Sequence, residues 1–246
     1  WLEDQQIAWI RLNDPARLNA MSEAMAQQFR QVYGQLQQHA ALRAVILSGQ
    51  GTSFSAGGDL AMLEAKRERS PEINERDMTD FYYSFLDLLN LEVPLIAAAH
   101  GWSVGAGCCL VAACDLRLAD PGARFKVPFL QMGLFPGMGS SHWFTQRMGP
   151  WASEFLLTGA TLDAQQAAQR GLVTSLSAEG EVISLAQQQA RRLLANGPEC
   201  SRDLLRVLRG PKVELQRALD REAHLQALSY GREEFAQGLK RAGSAK

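Results

Sequence analysis

The stretch "PLIAAAHGWSVGAGCCLVAACD", Pro94 to Asp115, decides how the chain is read, because it offers two sites at once. Leu95 to Ala99 is an apolar run of buried-strand type. Gly101-Trp102-Ser103-Val104-Gly105 then spells G-x-S-x-G, the strand-to-helix elbow that presents a serine nucleophile. The overlapping Gly105-Ala106-Gly107 is instead a helix start whose bare backbone N–H groups suit a negative oxygen.

The elbow fails on the rest of the chain. A serine hydrolase of this kind needs further parallel strands carrying an acid and then a histidine. Beyond residue 120 the pattern is almost wholly helical, and only His142 and His224 lie downstream, the latter inside the charged helical stretch "LDREAHLQAL". The helix-start reading gains a partner instead. Ala56-Gly57-Gly58-Asp59-Leu60 is a second glycine turn that follows a strand and opens a helix. Two such turns facing each other make a preorganised pair of amide donors. A phosphate-binding P-loop would need Gly-Lys-Ser/Thr, and a dinucleotide fingerprint would need glycine where Leu110 stands, so neither is present.

Outward from these loops, the first half alternates. "IAWIRLN" (7–13) and "RAVILSG" (43–49) read as strands, Ser22 caps a helix between them, and "DLRLAD" (115–120) is a further strand. The charged segment 64–80 reads as a mobile surface excursion before a helix at 79–91. After Ala160 the strands stop, and 181–196, 198–209 and 213–241 are helical, separated by "NGPE" and "RGPK". Segment 64–78 and the tail after Gly238 are the candidates for disorder. The chain has 246 residues, 46% hydrophobic and 21% charged, enough for one large domain or one domain with an appendage. A net charge of −1 gives no basic face for nucleic acid. No apolar run reaches membrane length, and no basic-then-apolar leader precedes the first strand, so neither nucleic acid nor membrane is expected as a partner and the cytoplasm is the expected location. Cys108, Cys109, Cys114 and Cys200 lack C-x-x-C spacing and are expected as buried free thiols, with no metal site.

Six segments in order, "ARLNAM" (16–21), "FSAGGDL" (54–60), "PLIAAAHGWSVGAGCCLVAACDLRLAD" (94–120), "FKVPFLQMGLFPGMGS" (125–140), "LLTGATLDAQQAAQRGLV" (156–173) and a helical tail, resemble the crotonase (enoyl-CoA hydratase/isomerase) superfamily along nearly the whole chain. The resemblance implies an α/β fold, a spiral of repeated ββα units over residues 1–195 that binds acyl-CoA. It further implies a C-terminal helical region, 196–246, that builds homotrimers or hexamers. No cofactor is implied beyond the CoA moiety of the substrate. By the family motif the oxyanion hole is the backbone N–H of Gly58 and of Ala106, beside Gly57 and Gly105. Arg17, Leu18, Ala20, Ala56, Asp59 and Leu60 fall where the bent CoA lies, with Arg17 a candidate phosphate contact and Asp59 expected to cap its helix.

The chain departs from family hydratases at their acid-base positions. Cys109 and Phe129 stand where those enzymes carry glutamates, and Gly137 stands where other relatives carry an aspartate. Phe129 then enlarges the apolar wall of the acyl pocket. Cys109, Tyr82 and His142 are the candidates for replacement chemistry, with Tyr83, Asp80 and Glu64 as neighbours, and each also has an ordinary reading as a core or surface residue. Trp102 and Gln131 are further possible wall residues. Three functions stay open: a hydratase or isomerase with relocated proton-transfer groups, a decarboxylase that reaches the enolate without a base, and an acyl-CoA-binding protein with little catalysis.

Overall fold

The computed structural model describes residues 2–3 and 5–244. In chain order the strands are β1 (Leu2–Glu3), β2 (Ile7–Leu12), β3 (Ala44–Gly49), β4 (Leu95–Ala99), β5 (Trp102–Val104), β6 (Leu116–Ala119), β7 (Arg124–Lys126), β8 (Leu162–Asp163) and β9 (Ser175–Leu176). The helices are α1 (Glu23–Gln37), α2 (Leu60–Ala65), α3 (Pro71–Leu86), α4 (Ala106–Ala113), α5 (Ser140–Met148), α6 (Trp151–Thr158), α7 (Ala164–Gln169), α8 (Val182–Leu194), α9 (Pro198–Arg209), α10 (Lys212–Tyr230) and α11 (Glu233–Ser244).

Two sheets form, in the orders β1-β2-β3-β4-β6-β9 and β5-β7-β8. The large one is parallel from β2 to β9. Successive strand pairs, β4 with β5 and then β6 with β7, send their first member to the large sheet and their second to the small one, which makes the chain advance as a spiral. Both faces of the large sheet are covered, as parallel sheets require. Ile46, Ile96, Ala98 and Leu118 meet Val182, Ala186 and Ala190 of α8 on one side. Val45, Leu47, Leu95, Ala97 and Ala99 join the main core on the other. That double burial explains the unbroken apolar reading of β3 and β4.

Three expectations from sequence need correction. Segment 64–80 is not an excursion: it folds into the end of α2, a short 3₁₀ turn at Lys66–Glu68, and α3, which starts at Pro71. Ser70 caps α3 with Pro71 in its first turn, and Asn74, Met78, Phe81, Tyr82 and Phe85 form one buried face at helical spacing. The charges in between hid that stripe. Lys66 itself is buried, 3.6 Å from Asp77, and burial lowers its pKa. Strands also continue past Ala160 as β8 and β9, each two residues long and too short to show a period. Finally, 213–241 is two helices that break at Gly231 and Arg232, and the tail after Gly238 is helical through Ser244, with 245–246 outside the described residues.

The C-terminal helices pack on their own chain. Leu219, Ala223 and Tyr230 of α10 and Phe235 of α11 belong to the main core. Helix α9 is the exception: Leu205 is its one buried residue, while Leu204, Val207 and Leu208 are 57%, 77% and 64% exposed.

Candidate functional site

The two glycine turns lie side by side. Ser55 N–H donates to Trp102 O at 3.0 Å and Val104 N–H to Ser55 O at 2.9 Å, stitching the loop after β3 to β5. Gly57 has φ +87° and Gly105 φ +50°, backbone conformations that favour glycine. A Cβ on Gly57 would sit 2.6 Å from Val104 O and 3.5 Å from Ala106 N, so the approach of the loops also requires its absence. The neighbouring amides are occupied: Gly57 N–H bonds Ser55 Oγ, Asp59 N–H bonds Met21 O, and Gly105 N–H bonds Lys126 O. Gly58 N–H and Ala106 N–H have no acceptor among the described residues. Ala106 is the first residue of α4, where the helix leaves its N–H groups unpaired. Both residues line a cavity of about 520 Å³, a size typical of small-ligand sites.

Arg17, Leu18, Ala20, Ala56, Asp59 and Leu60 also line this cavity. Asp59 caps α2 by accepting from Met62 N–H at 2.9 Å. Arg17 is exposed and bonded to both Asp14 (2.6 Å) and Asp59 (3.1 Å), and the bond to Asp14 raises its pKa. Met78, Phe81, Phe129, Met132 and Leu134 give it an apolar wall. The Phe129 ring stands beside Gly105, its Cζ 3.9 Å from where a glycine Cβ would be.

Among the replacement candidates, Tyr82 alone reaches the cavity. It is buried, and burial holds its hydroxyl well above the usual phenol range. Cys109 is fully buried behind the cavity, its Sγ 3.6 Å from Gly137 O, with a thiol pushed well up by desolvation. Such a thiol is a core group rather than a nucleophile. His142 is half-buried outside the cavity, edge-on to Trp143, with its pKa lowered by burial. Tyr83 lines a different depression beneath α9 and α10, and Asp80 and Glu64 are exposed. Trp102 and Gln131 are exposed and form no part of the wall; Gln131 donates to Thr158 O instead. Ser103 is buried on β5 with an unpaired hydroxyl and no histidine partner, which disposes of the elbow. Cys108, Cys109 and Cys114 are buried free thiols, whereas Cys200 is exposed on α9, against the expectation for it.

Sequence reasoning missed Gln226. It sits on α10, within the region expected to assemble subunits, and it lines the cavity and accepts from Tyr82 Oη at 2.7 Å. A glutamine in a charged helix carries no local mark of this role, which arises from a contact across 144 residues. Beside it, Gly137 is forced: a Cβ there would lie 2.2 Å from Tyr82 Oη and 2.9 Å from Gln226 Nε2. Tyr82 and Gln226 therefore occupy the space that a side chain at 137 would need.

An apolar cavity closed on one side by two unpaired helix-turn amides, inside a two-sheet spiral, defines the class. The enoyl-CoA hydratase/isomerase family model matches residues 3–241, and the chain belongs to that family. It is 30% identical over 237 residues, 96% of this chain and 91% of the relative, to the 2,3-dehydroadipyl-CoA hydratase of Escherichia coli. It is 29% identical to the short-chain-enoyl-CoA hydratase of Clostridium acetobutylicum, covering 80% of this chain and 75% of that one. The crystal structure of an enoyl-CoA hydratase/isomerase from Pseudoalteromonas atlantica superposes over 100% of this chain and 96% of its own, with TM-score 0.87 and 25% identity.

Proposed function

We propose that the cavity binds an acyl-CoA thioester and stabilises its enolate between Gly58 N–H and Ala106 N–H. The observation that carries this reading is the pair of amides with no acceptor among the described residues that line one cavity, Gly58 N–H between the bonded amides of Gly57 and Asp59 and Ala106 N–H just after the bonded amide of Gly105. Donors fixed in place before charge develops stabilise an oxyanion without reorganisation. The nucleotide end would lie along Arg17, Leu18, Ala20, Ala56, Asp59 and Leu60, and the acyl group against Phe129 and Tyr82. No cofactor is required beyond the CoA moiety.

The reaction would not be ordinary hydration. Asp59 is the one carboxylate among the cavity-lining residues, and it is held by Met62 N–H and Arg17. Losing a positioned acid or base costs about 10²–10⁴-fold. The same observation favours decarboxylation of a malonyl-type thioester, which yields the enolate without a base. The exposed face of α9, with Leu204, Val207 and Leu208, is the proposed contact for a trimer or hexamer.

Two measurements test the reading. Calorimetry should find butyryl-CoA binding and free butyrate not; no binding of the thioester at millimolar concentration contradicts it. Loss of crotonyl-CoA's ultraviolet absorbance should be slow with the wild type and malonyl-CoA decarboxylation faster. Rapid hydration would show that a cavity residue supplies proton transfer after all, with Tyr82 the first to substitute.

A further inference from the structure

We propose that the depression beneath α9 and α10 is a second ligand site, which takes an unbranched medium-chain carboxylic acid with its carboxylate between Lys212 and Trp143 and its alkyl tail against α9. The depression is a cavity of about 350 Å³, within the range of small-ligand sites. It shares no lining residue with the cavity at the glycine turns. Leu86 of α3, Leu89, Leu205 of α9, and Leu215 and Leu219 of α10 give it an apolar wall. Leu205 is the one residue that α9 buries, so the helix spends its inner face on this space. A wall of this kind favours an alkyl chain, each methylene of which gains affinity by leaving water.

Two donors of the lining set the head group. Trp143 is 2% exposed, and its Nε1–H has no acceptor among the described residues. A Cβ on Gly139 would stand 2.6 Å from that nitrogen and 3.3 Å from Leu215 Cδ1, which places the indole N–H beside Leu215. Lys212 precedes Leu215 by three residues, so the two share a face of α10. The Lys212 ammonium donates to the neutral Asn90 Oδ1 at 2.8 Å and forms no ion pair among the described residues. The other lining cations are committed, Arg202 and Arg206 to Glu92 and Arg209 to Asp115. A buried donor without an acceptor is unfavourable, and a carboxylate, which only accepts, satisfies both Trp143 and Lys212. An amine has no acceptor to offer the indole. Asp87 is the lining carboxylate without a cation, and the Asn90 amide, which donates to it at 3.3 Å, bridges it to Lys212.

The test is calorimetry on the full chain with butyrate, hexanoate, octanoate, decanoate, decanol and decylamine. From hexanoate to decanoate the affinity should rise about fourfold per methylene, with butyrate too short to register. Decanoate should bind about 3–10-fold tighter than decanol, and decylamine weakest. Lys212→Gln should weaken decanoate about 3–10-fold and leave decanol within about twofold, and Trp143→Phe should weaken decanoate by a similar factor. Lys212 is exposed, so its substitution decides the matter should Trp143→Phe not fold. Saturating butyryl-CoA should leave the decanoate affinity unchanged. Competition between the two would put the acid in the cavity at the glycine turns and overturns the proposal. So do an absence of decanoate binding at millimolar concentration, a wild type that binds decanol or decylamine as tightly as decanoate, and a decanoate affinity indifferent to Lys212→Gln. Decanoate binding without any binding of butyryl-CoA supports this site and defeats the acyl-CoA reading alone.

Discussion

Ala106 and Ser103 stand three residues apart and separate two chemistries that the same sequence spells. Ala106 is the first residue of α4, a position that accepts proline because its N–H has no helical partner. Ala106→Pro therefore deletes one of the two proposed oxyanion donors and adds no charge. Its kcat for any acyl-CoA the protein turns over should fall about 10²–10³-fold with unchanged circular dichroism. Ser103→Ala should leave turnover intact, since its hydroxyl is buried and unpaired on β5. Ester hydrolysis that vanished in Ser103→Ala would restore the nucleophile elbow. The two adjoining glycine turns were legible because their close approach and positive φ need small residues, which glycines announce in the sequence. Tyr82 was legible only as one of several polar candidates, and Gln226 not at all, since its place comes from how α10 packs against α3.

Helix α10 also holds the start of α5. Glu222 Oε2 accepts from Gly139 N–H at 2.6 Å, and its Oε1 accepts from Ser141 N–H at 2.7 Å and Ser141 Oγ at 2.6 Å. Burial raises its pKa, and these bonds oppose that rise. Glu222→Ala leaves the donors buried without an acceptor and should cost about 2–3 kcal/mol. For a chain of this size that is roughly 4–12 °C in Tm by calorimetry. An unchanged Tm would mean that α5 starts without this cap. Elements with strong local marks were read correctly: β3 and β4 by apolar runs and α1 by Ser22. Helix α3 was half lost, because Glu72, Glu75, Arg76 and Asp77 outnumber the buried positions between them. The small sheet escaped notice because its strands are two or three residues long.

At the scale of the whole molecule, α9 turns an apolar face to solvent. Residues 196–246 are expected to build an assembly; within the chain α10 and α11 are part of the core, and α9 turns Leu204, Val207 and Leu208 to solvent. If α9 is the subunit contact, Val207→Glu with Leu208→Glu should lower the mass seen by light scattering from a trimer or hexamer to a monomer. A strict monomer in the wild type contradicts the proposed assembly. Among the described residues no helix is long and apolar enough to cross a membrane.

The spiral brings the 16–20 loop, the turn at Gly57–Gly58, the start of α4 and one face of α10 to a single cavity, although they are far apart in the chain. That convergence supports an enolate-stabilising acyl-CoA site. The most direct measurement is a crystal structure with butyryl-CoA bound. The thioester oxygen should lie about 2.7–3.1 Å from both Gly58 N and Ala106 N, with the acyl chain running past Phe129 toward Tyr82. A thioester oxygen bonded to neither amide, or a CoA seated outside this cavity, would contradict the account.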